Sequence, residues 1–302
     1  MTNQMPFKYL LNPGHSACAG CGEILAMRHV LQAAGENTIV VNATGCSEVT
    51  TTRFPTSSFK VPWIHANFEN ASAVASGILA ALRCDSGQAP ERKNNVNVIA
   101  WGGDGATFDI GFGLISGSWE RGENILYVCF DNEGYMNTGV QSSGSTPLGA
   151  NTTTTPPGEK SYGNDLKKKD MIGIALAHNC VYVATATVAN VFDIENKVKK
   201  ALTLVGPKYL QILVTCVPGW YTESKDTIKV ARLAQQTGIC PVIEYVNGQL
   251  TASQKCPNPR PPVEEYLKLQ GRYKHLFRSK DGADEIALIQ KLADENVKKF
   301  GL

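Results

Sequence analysis

No stretch of this 302-residue chain approaches the roughly 18 uninterrupted apolar residues of a membrane span, so no helix is expected to cross a bilayer. Neither charge dominates, since 29 Lys and Arg face 27 Asp and Glu, and no segment gathers enough basic residues to track a phosphate backbone. Nucleic acid is therefore not an expected partner. The densest basic run, DLKKKDM at 165–171, is short and acid-flanked and reads as a solvated loop. The opening stretch MTNQMPFKYLLNPGHSA carries one Lys and lacks the apolar core and cleavage pattern of a secretory signal. Together these absences point to a soluble, cytoplasmic protein. Internal repeats are lacking too, and the only biased segment, NTTTTPPG at 151–158, reads as a mobile loop.

Cysteine is not scarce, but its number is odd. Nine thiols (18, 21, 46, 84, 129, 180, 216, 240 and 256) cannot all pair internally, and in a reducing cytosol few disulfides are expected. Some should be metal ligands and others core. Cys18 and Cys21 stand three apart in HSACAGCGEIL, at the mouth of an apolar helical pattern. A second CxxC, which a zinc ribbon usually has, is missing, and the surrounding chain lacks the length and order of a thioredoxin fold. On spacing alone an iron–sulfur cluster, a zinc site and a redox pair all remain open.

Apolar runs rich in β-branched and aromatic residues recur at 38–43, 96–101, 125–130, 180–186 and 209–217, reading as buried strands. Between them lie patterns of helical period at 22–34, 70–83, 108–121, 170–178 and 188–205. This alternation predicts an α/β fold, a mainly parallel sheet with helices on both faces. Ligands of such sheets sit beyond the carboxyl ends of the strands, which directs attention to the segments after 43, 101, 130 and 217. Past 218 the character changes to a Pro-rich connector, CPNPRPP at 256–262, and amphipathic stretches at 263–277 and 283–299. The expected division is an α/β domain over 1–217 and a C-terminal extension over 218–302, packing on that domain or on a partner subunit.

The second run is followed by GGDGATFDIGFG, in which glycines around Asp104 let the backbone turn sharply while the carboxylate offers a hard oxygen for magnesium. The next strand ends in FDNEGYMNTG, where Asn132 lies twenty-eight residues beyond Asp104. Adjacent parallel strands joined by one crossover helix would bring both loops to one edge. An Asp, an amide oxygen and a backbone carbonyl are a sound magnesium set for a diphosphate, because the ion keeps few protein ligands.

GDG followed at this interval by DNEGYMNTG, with the continuation NTGVQSSGSTPLGA at 137–150, resembles the 2-oxoacid:ferredoxin oxidoreductases, in the β-subunit form of the pyruvate enzymes. The resemblance covers most of residues 7–220 and, less distinctively, PVEEYLKLQGRYKHLF at 262–277. It implies a thiamine diphosphate-binding fold in which Asp104, Asn132 and the Gly134 carbonyl hold Mg2+. Gly103, Gly105, Ala106, Glu133, Tyr135 and Met136 would belong to the cofactor-binding loops, and Asn137, the catalytic candidate, would reach the reacting end of the cofactor. It further implies one [4Fe-4S] cluster on Cys18, Cys21, Cys46 and Cys216, matched through CAGCGE, TGCSEV and VTCVPGW, with Cys46 also beside the cofactor. Glu23 resembles the CGE glutamate that contacts the cofactor, although a Glu in a helix's first turn is equally what the dipole favours.

The activity implied is oxidative decarboxylation of a 2-oxoacid, pyruvate foremost, to acyl-CoA and CO2, with electrons leaving through the cluster to ferredoxin. The close run of cysteines found in bacterial ferredoxins is absent, so one cluster is expected here. No second copy of the sheet pattern is present either. The resemblance therefore implies a hetero-oligomer, with a pyrimidine-domain subunit supplying the activating glutamate, a coenzyme A (γ) subunit and a ferredoxin-like (δ) subunit. Relatives acting on 2-oxoisovalerate, 2-oxoglutarate or oxalate would share this machinery. A thiamine-dependent decarboxylase or carboligase without a cluster, and a metal-stabilised interaction module, are the readings from other classes.

Cys84, Cys129, Cys180 and Cys240 sit in apolar settings and read as core, while Cys256 has no assignment. His29 and His178 read as structural, and His15 as a neighbour of the cluster loop. In WIHANFENASAVASGI at 63–78, His65 and Glu69 are candidates to face the site, with Asn67 to Asn70 equally readable as a helix cap.

Overall fold

In the computed structural model, residues 9–53, 55–85, 96–278 and 281–302 are described. The β-branched runs pair as strands β1 (Thr38–Ala43), β3 (Asn97–Gly103), β4 (Leu126–Asp131), β5 (Tyr182–Thr187) and β6 (Lys208–Leu213), with the short β2 (Trp63–Ala66) at one edge. Two further strands, β7 (Ile243–Val246) and β8 (Gln249–Ser253), form a hairpin. The eight lie in the order β2-β1-β3-β4-β6-β5-β7-β8, and only the pairs made by β7 and β8 are antiparallel. The expected mainly parallel sheet is the one observed.

Alternation along β4 shows why both faces are covered. Leu126, Val128 and Phe130 face one layer, formed with Ala26, Met27, Val30 and Leu31 of α1 (Gly22–Ala34) and Ile194 and Val198 of α6 (Val191–Thr203). Tyr127 and Cys129 face the other, formed with Ala71 and Ala75 of α3 (Ala71–Asp85), Ile115 and Trp119 of α4 (Phe112–Glu120) and Met171 and Ala175 of α5 (Met171–Ala177). A strand buried on both faces reads as a continuous apolar run, which is why period alone did not reveal the sides.

The helical pattern at 108–121 resolves into a π-helical turn at 105–110 and then α4. Cys129 and Cys180 are core, as their settings suggested, but Cys84 is exposed, on a face of α3 that the sheet does not reach. Cys240 and Cys256 are half-buried, and Cys240 packs against the third apolar cluster.

Beyond the short α2 (Cys46–Thr51) and α7 (Val217–Trp220), the chain after 217 adds the β7–β8 hairpin to the main sheet and helices α8 (Thr227–Gln236), α9 (Val263–Lys268) and α10 (Asp281–Phe300), with a 3-10 turn at 271–277. These helices close a third apolar cluster around Trp220, Tyr266, Tyr273 and Ile289. The Thr-rich 151–158 segment is tied down, the Thr153 N–H donating to the Val140 carbonyl at 3.0 Å and the Thr154 hydroxyl accepting from the Ser142 N–H at 2.9 Å.

Candidate active site

Strands β1, β3, β4 and β6 are consecutive and parallel, so the segments that leave their carboxyl ends open along one rim. Those four segments carry Cys46, Asp104, Asn132 and Cys216 respectively. A cavity of about 30 Å3 lies among the first three, lined by Glu23, Thr44, Gly45, Cys46, Phe68, Gly103, Gly105, Ala106, Asn132 and Gly134 through Thr138, with no lining residue from the segment that carries Cys216. Asp104 does not line it but lies buried behind it.

The Asp104 carboxylate accepts the Asn132 N–H at 3.2 Å through Oδ1 and the Ser143 hydroxyl through Oδ2. Burial, and then the nearby Asp131 carboxylate, push its pKa well above the usual range, against the pull of Ser143 and Lys168. Asn132 donates its Nδ2 to Glu23 at 3.3 Å, while its Oδ1 is buried with no partner. The Gly134 carbonyl accepts the Met136 N–H at 3.0 Å, which leaves one lone pair. Gly105 is required because a Cβ there would collide with the Tyr135 ring, whose hydroxyl reaches Asp109 at 3.0 Å. Gly105 and Ala106 begin a helical run, where free N–H groups suit an anion.

This rim is braced from behind. Glu133 adopts a left-handed φ of 66° and is buried, yet it stays charged: burial pushes its carboxyl up, but Lys168 and Arg272 hold it below the ordinary range. Lys168 lies 2.6 Å from Asp131 and 3.2 Å from Glu133, and Arg272 lies 2.6 Å from Glu133. The Arg272 guanidinium also sits 4.0 Å over the ring of Trp220, whose Nε1 donates to the Asn132 carbonyl at 2.7 Å. Lys168, read as part of a solvated run, is therefore a member of a buried network; its partners are distant in sequence, so local charge pattern could not reveal it. Removing one partner of such a network costs about 3–5 kcal/mol.

The thiols gather on the other side. The Gly22 N–H donates to the Thr215 carbonyl at 3.0 Å, and a Cβ on Gly22 would lie 2.6 Å from Thr215 N, so the Cys18–Cys21 turn is seated on the strand end that carries Cys216. The Gly20 carbonyl accepts the Thr227 hydroxyl at 2.6 Å, and the Ser16 N–H donates to Thr50 of α2 at 2.8 Å. Cys18 is exposed, and Cys21, Cys46 and Cys216 are half-buried. Burial raises Cys21 to about 11 and Cys216 to about 12. It raises Cys46 further, with added repulsion from Glu23, Cys216, Cys21 and Cys18. Cys21, Cys46 and Cys216 thus each lie within electrostatic reach of Cys18. Among the described residues, no three His, Cys, Asp or Glu side chains stand close enough to hold a single metal ion.

Glu23 links the two halves. It lies beside Asn132 and Ser47, and burial lifts its carboxyl to about 7 against the hydrogen bonds of both. For an acid whose folded pKa exceeds its ordinary 4.5, the contribution to stability is full below pH 4.5 and lost as pH rises through about 7. Glu23→Gln is therefore expected to stabilise the cofactor-free chain by up to about 3 kcal/mol at pH 8 and to change little at pH 4, measured by denaturant unfolding at both values.

Of the remaining expectations, Asn137 is exposed at the pocket mouth. His65 reaches Thr44 of the pocket at 2.7 Å, whereas Glu69 is exposed and does not line it; Phe68 does. His29 pairs with Glu195 at 2.7 Å, and His178 with Ser116 at 2.7 Å, both within helix packing. His15 Nδ1 is buried without a partner. Ser47, Ser143 and the Asp131–Lys168–Glu133–Arg272 network were not read from sequence. Asp131 and Glu133 lie inside the quoted FDNEG stretch and Arg272 inside PVEEYLKLQGRYKHLF, but nothing in either stretch marks them as partners.

The arrangement is that of an α/β protein whose ligand pocket lies beyond the carboxyl ends of adjacent parallel strands. Residues 43–212 match the family described as thiamine pyrophosphate enzyme, C-terminal TPP binding domain. Pyruvate synthase subunit PorB of Methanosarcina barkeri is 50% identical over 302 residues, 100% of both chains. Its namesake in Methanocaldococcus jannaschii is also 50% identical, over 99% of each chain. Ketoisovalerate oxidoreductase subunit VorB of Pyrococcus abyssi is 42% identical over 95% of this chain and 91% of its own. The fold is shared with the 2-oxoglutarate:ferredoxin oxidoreductase from Magnetococcus marinus, solved with 2-oxoglutarate, coenzyme A and succinyl-CoA bound (TM-score 0.60, 22% identity, 85% of this chain and 87% of that one). The chain belongs to the thiamine pyrophosphate enzymes, as a β-type subunit of the 2-oxoacid:ferredoxin oxidoreductase family.

Proposed function

We propose that this chain is the cofactor-binding subunit of a pyruvate:ferredoxin oxidoreductase, with Asp104, Asn132 and the Gly134 carbonyl holding Mg2+ and Cys18, Cys21, Cys46 and Cys216 holding one [4Fe-4S] cluster. The observation that carries it is the seating of the CxxC turn on the Cys216 strand end, on the same rim as the buried, unpartnered Asn132 Oδ1. A buried amide oxygen without a donor beside a buried carboxylate is a hard-oxygen pair suited to magnesium. A divalent ion would also let Asp104 stay ionised next to Asp131. Four thiols within electrostatic reach of one another at one rim supply the thiolate set that a cubane cluster takes.

When bound, thiamine diphosphate supplies the electron sink, magnesium ties the diphosphate to the protein and the cluster takes electrons singly. The chain's own residues position and insulate. Gly103, Gly105 and Ala106 admit the diphosphate end, and Tyr135 and Met136 wall the pocket with Glu133 held behind them. Glu23, with its carboxyl near 7, can hold or release a proton at the Asn132 side, and Asn137 stands at the mouth.

The substrate is assigned from the full-length relatives named pyruvate synthase. The relative named for ketoisovalerate keeps 2-oxoisovalerate as the second reading. The chain would work with a pyrimidine-domain subunit, a coenzyme A subunit and a ferredoxin-like subunit, passing electrons to ferredoxin in the cytoplasm. Purified anaerobically with its companions, the protein is expected to contain thiamine diphosphate, iron and sulfide. It should reduce a viologen dye with pyruvate and coenzyme A faster than with 2-oxoisovalerate, 2-oxoglutarate or oxalate. Thiamine diphosphate without iron would move the reading to a cluster-free decarboxylase, and a faster rate with 2-oxoisovalerate would move the substrate.

A further inference from the structure

We propose that a second cavity, of about 320 Å3, is a binding site for a small neutral molecule with an apolar body and one carbonyl-type oxygen, such as a ketone, ester or amide. It lies across the β4 loop from the pocket described above: Asn132 and Gly134 line that pocket, while the intervening Glu133 lines this cavity. The proposal stands on this cavity alone and does not depend on the cofactor or substrate assigned above.

The cavity runs from the sheet to the C-terminal helices. Its body is apolar, with Ile239 and Ile243 on one side and Ile289 and Leu292 of α10 on the other. Its size is at the lower end for ligand sites, enough for a monocyclic molecule. The polar lining consists of Lys168, Glu133, Cys240, Tyr266, Tyr273 and Asn296 with the sheet residues Thr185 and Gln211, while the remaining charged residues, Lys167, Lys169, Asp170, Glu295 and Lys299, are exposed. Tyr273 is fully buried, and its hydroxyl has no hydrogen-bond partner. Burial holds that phenol far above its ordinary pKa, so it is an O–H donor lacking an acceptor.

Charge decides what the acceptor can be. The carboxylates of Asp131 and Glu133 are already matched by Lys168 and Arg272, two against two. An anionic ligand would add an unbalanced charge beside two buried carboxylates, whereas a neutral carbonyl satisfies the hydroxyl at no such cost. Because Glu133 is shared with the β4 loop, an occupant would also touch the back of the loop that carries Asn132.

The test uses the full-length protein, in the assembly in which it purifies, and ligand-observed NMR with acetophenone, ethylbenzene and benzoate. Acetophenone should bind about tenfold more tightly than either of the others, the difference one hydrogen bond makes. Tyr273→Phe should abolish the preference for acetophenone over ethylbenzene, and Leu292→Trp, filling the cavity from α10, should abolish binding of both, with melting curves checking that each variant is folded. Benzoate binding as tightly as acetophenone, an unchanged preference in Tyr273→Phe, or no binding of any probe would overturn the proposal. If Leu292→Trp does not fold, the Tyr273→Phe comparison decides alone.

Discussion

Replacing Cys216 with alanine is expected to leave a folded chain that has lost its iron and sulfide, while replacing Cys129 with alanine keeps both. The two thiols differ in what surrounds them. Cys129 is fully buried, in the apolar layer that also holds Tyr127 and Tyr209, so truncating it opens a small hole. The cost is about 1–2 kcal/mol with no effect on the rim. Cys216 caps the one-turn helix α7, its Sγ accepting the Gly219 N–H at 3.4 Å, a weak sulfur bond whose loss is a small matter for stability. Its importance lies in its neighbours: the CxxC turn is seated one residue away, at Thr215, and Cys216 contributes to the repulsion on Cys46. The variant that loses more stability should therefore be the one that keeps the metal. Iron and sulfide per chain, set beside unfolding midpoints, measure both; equal iron in the two variants would remove Cys216 from the ligand set.

That contrast was partly legible in the residues. Cys129 sits inside a β-branched and aromatic run, where a small apolar side chain belongs, and Cys216 sits where such a run ends, at a carboxyl edge. The strands that could be read were those buried on both faces, because their runs are continuous. β2, with two exposed residues in four, and β8, with its side chains largely exposed at the sheet edge, lack that signature and went unread. The hairpin β7–β8 consequently joined the sheet from a region that composition had marked as an extension.

The front of the candidate site was readable because its residues lie in contiguous loops, each with glycines that a close approach demands. Its back was not. Arg272 comes from the 3-10 turn near the C-terminus and Lys168 from the middle of a run of three lysines, and nothing local distinguishes Lys168 from Lys167 or Lys169. Only the fold shows that one of the three is drawn between Asp131 and Glu133. The left-handed Glu133 is held there by ion pairs rather than by glycine, a choice that ties the geometry of the β4 loop to the C-terminal region.

The isosteric change Asp104→Asn is expected to move stability and ligand binding in opposite directions. Buried beside Asp131, the Asp104 carboxylate is costly to ionise without a cation beside it, which is why its pKa is raised. An asparagine keeps an oxygen for the Asn132 N–H and an amide group that can donate to the Ser143 hydroxyl, so the hydrogen bonds survive while the repulsion with Asp131 disappears. The ligand-free variant should melt at or above the temperature of the unaltered chain. A divalent ion, however, would lose its only formal negative charge among the three oxygens assigned to it, leaving an amide and a carbonyl. Magnesium-dependent retention of thiamine diphosphate should fall about 100-fold or more, since even the groups that merely orient metal ligands are worth about 10–100-fold. Calorimetric titration of thiamine diphosphate with and without magnesium, on both proteins, measures the effect. A variant that binds as tightly as the unaltered chain would mean that Asp104 is a buried structural acid and that the diphosphate is held elsewhere on the rim.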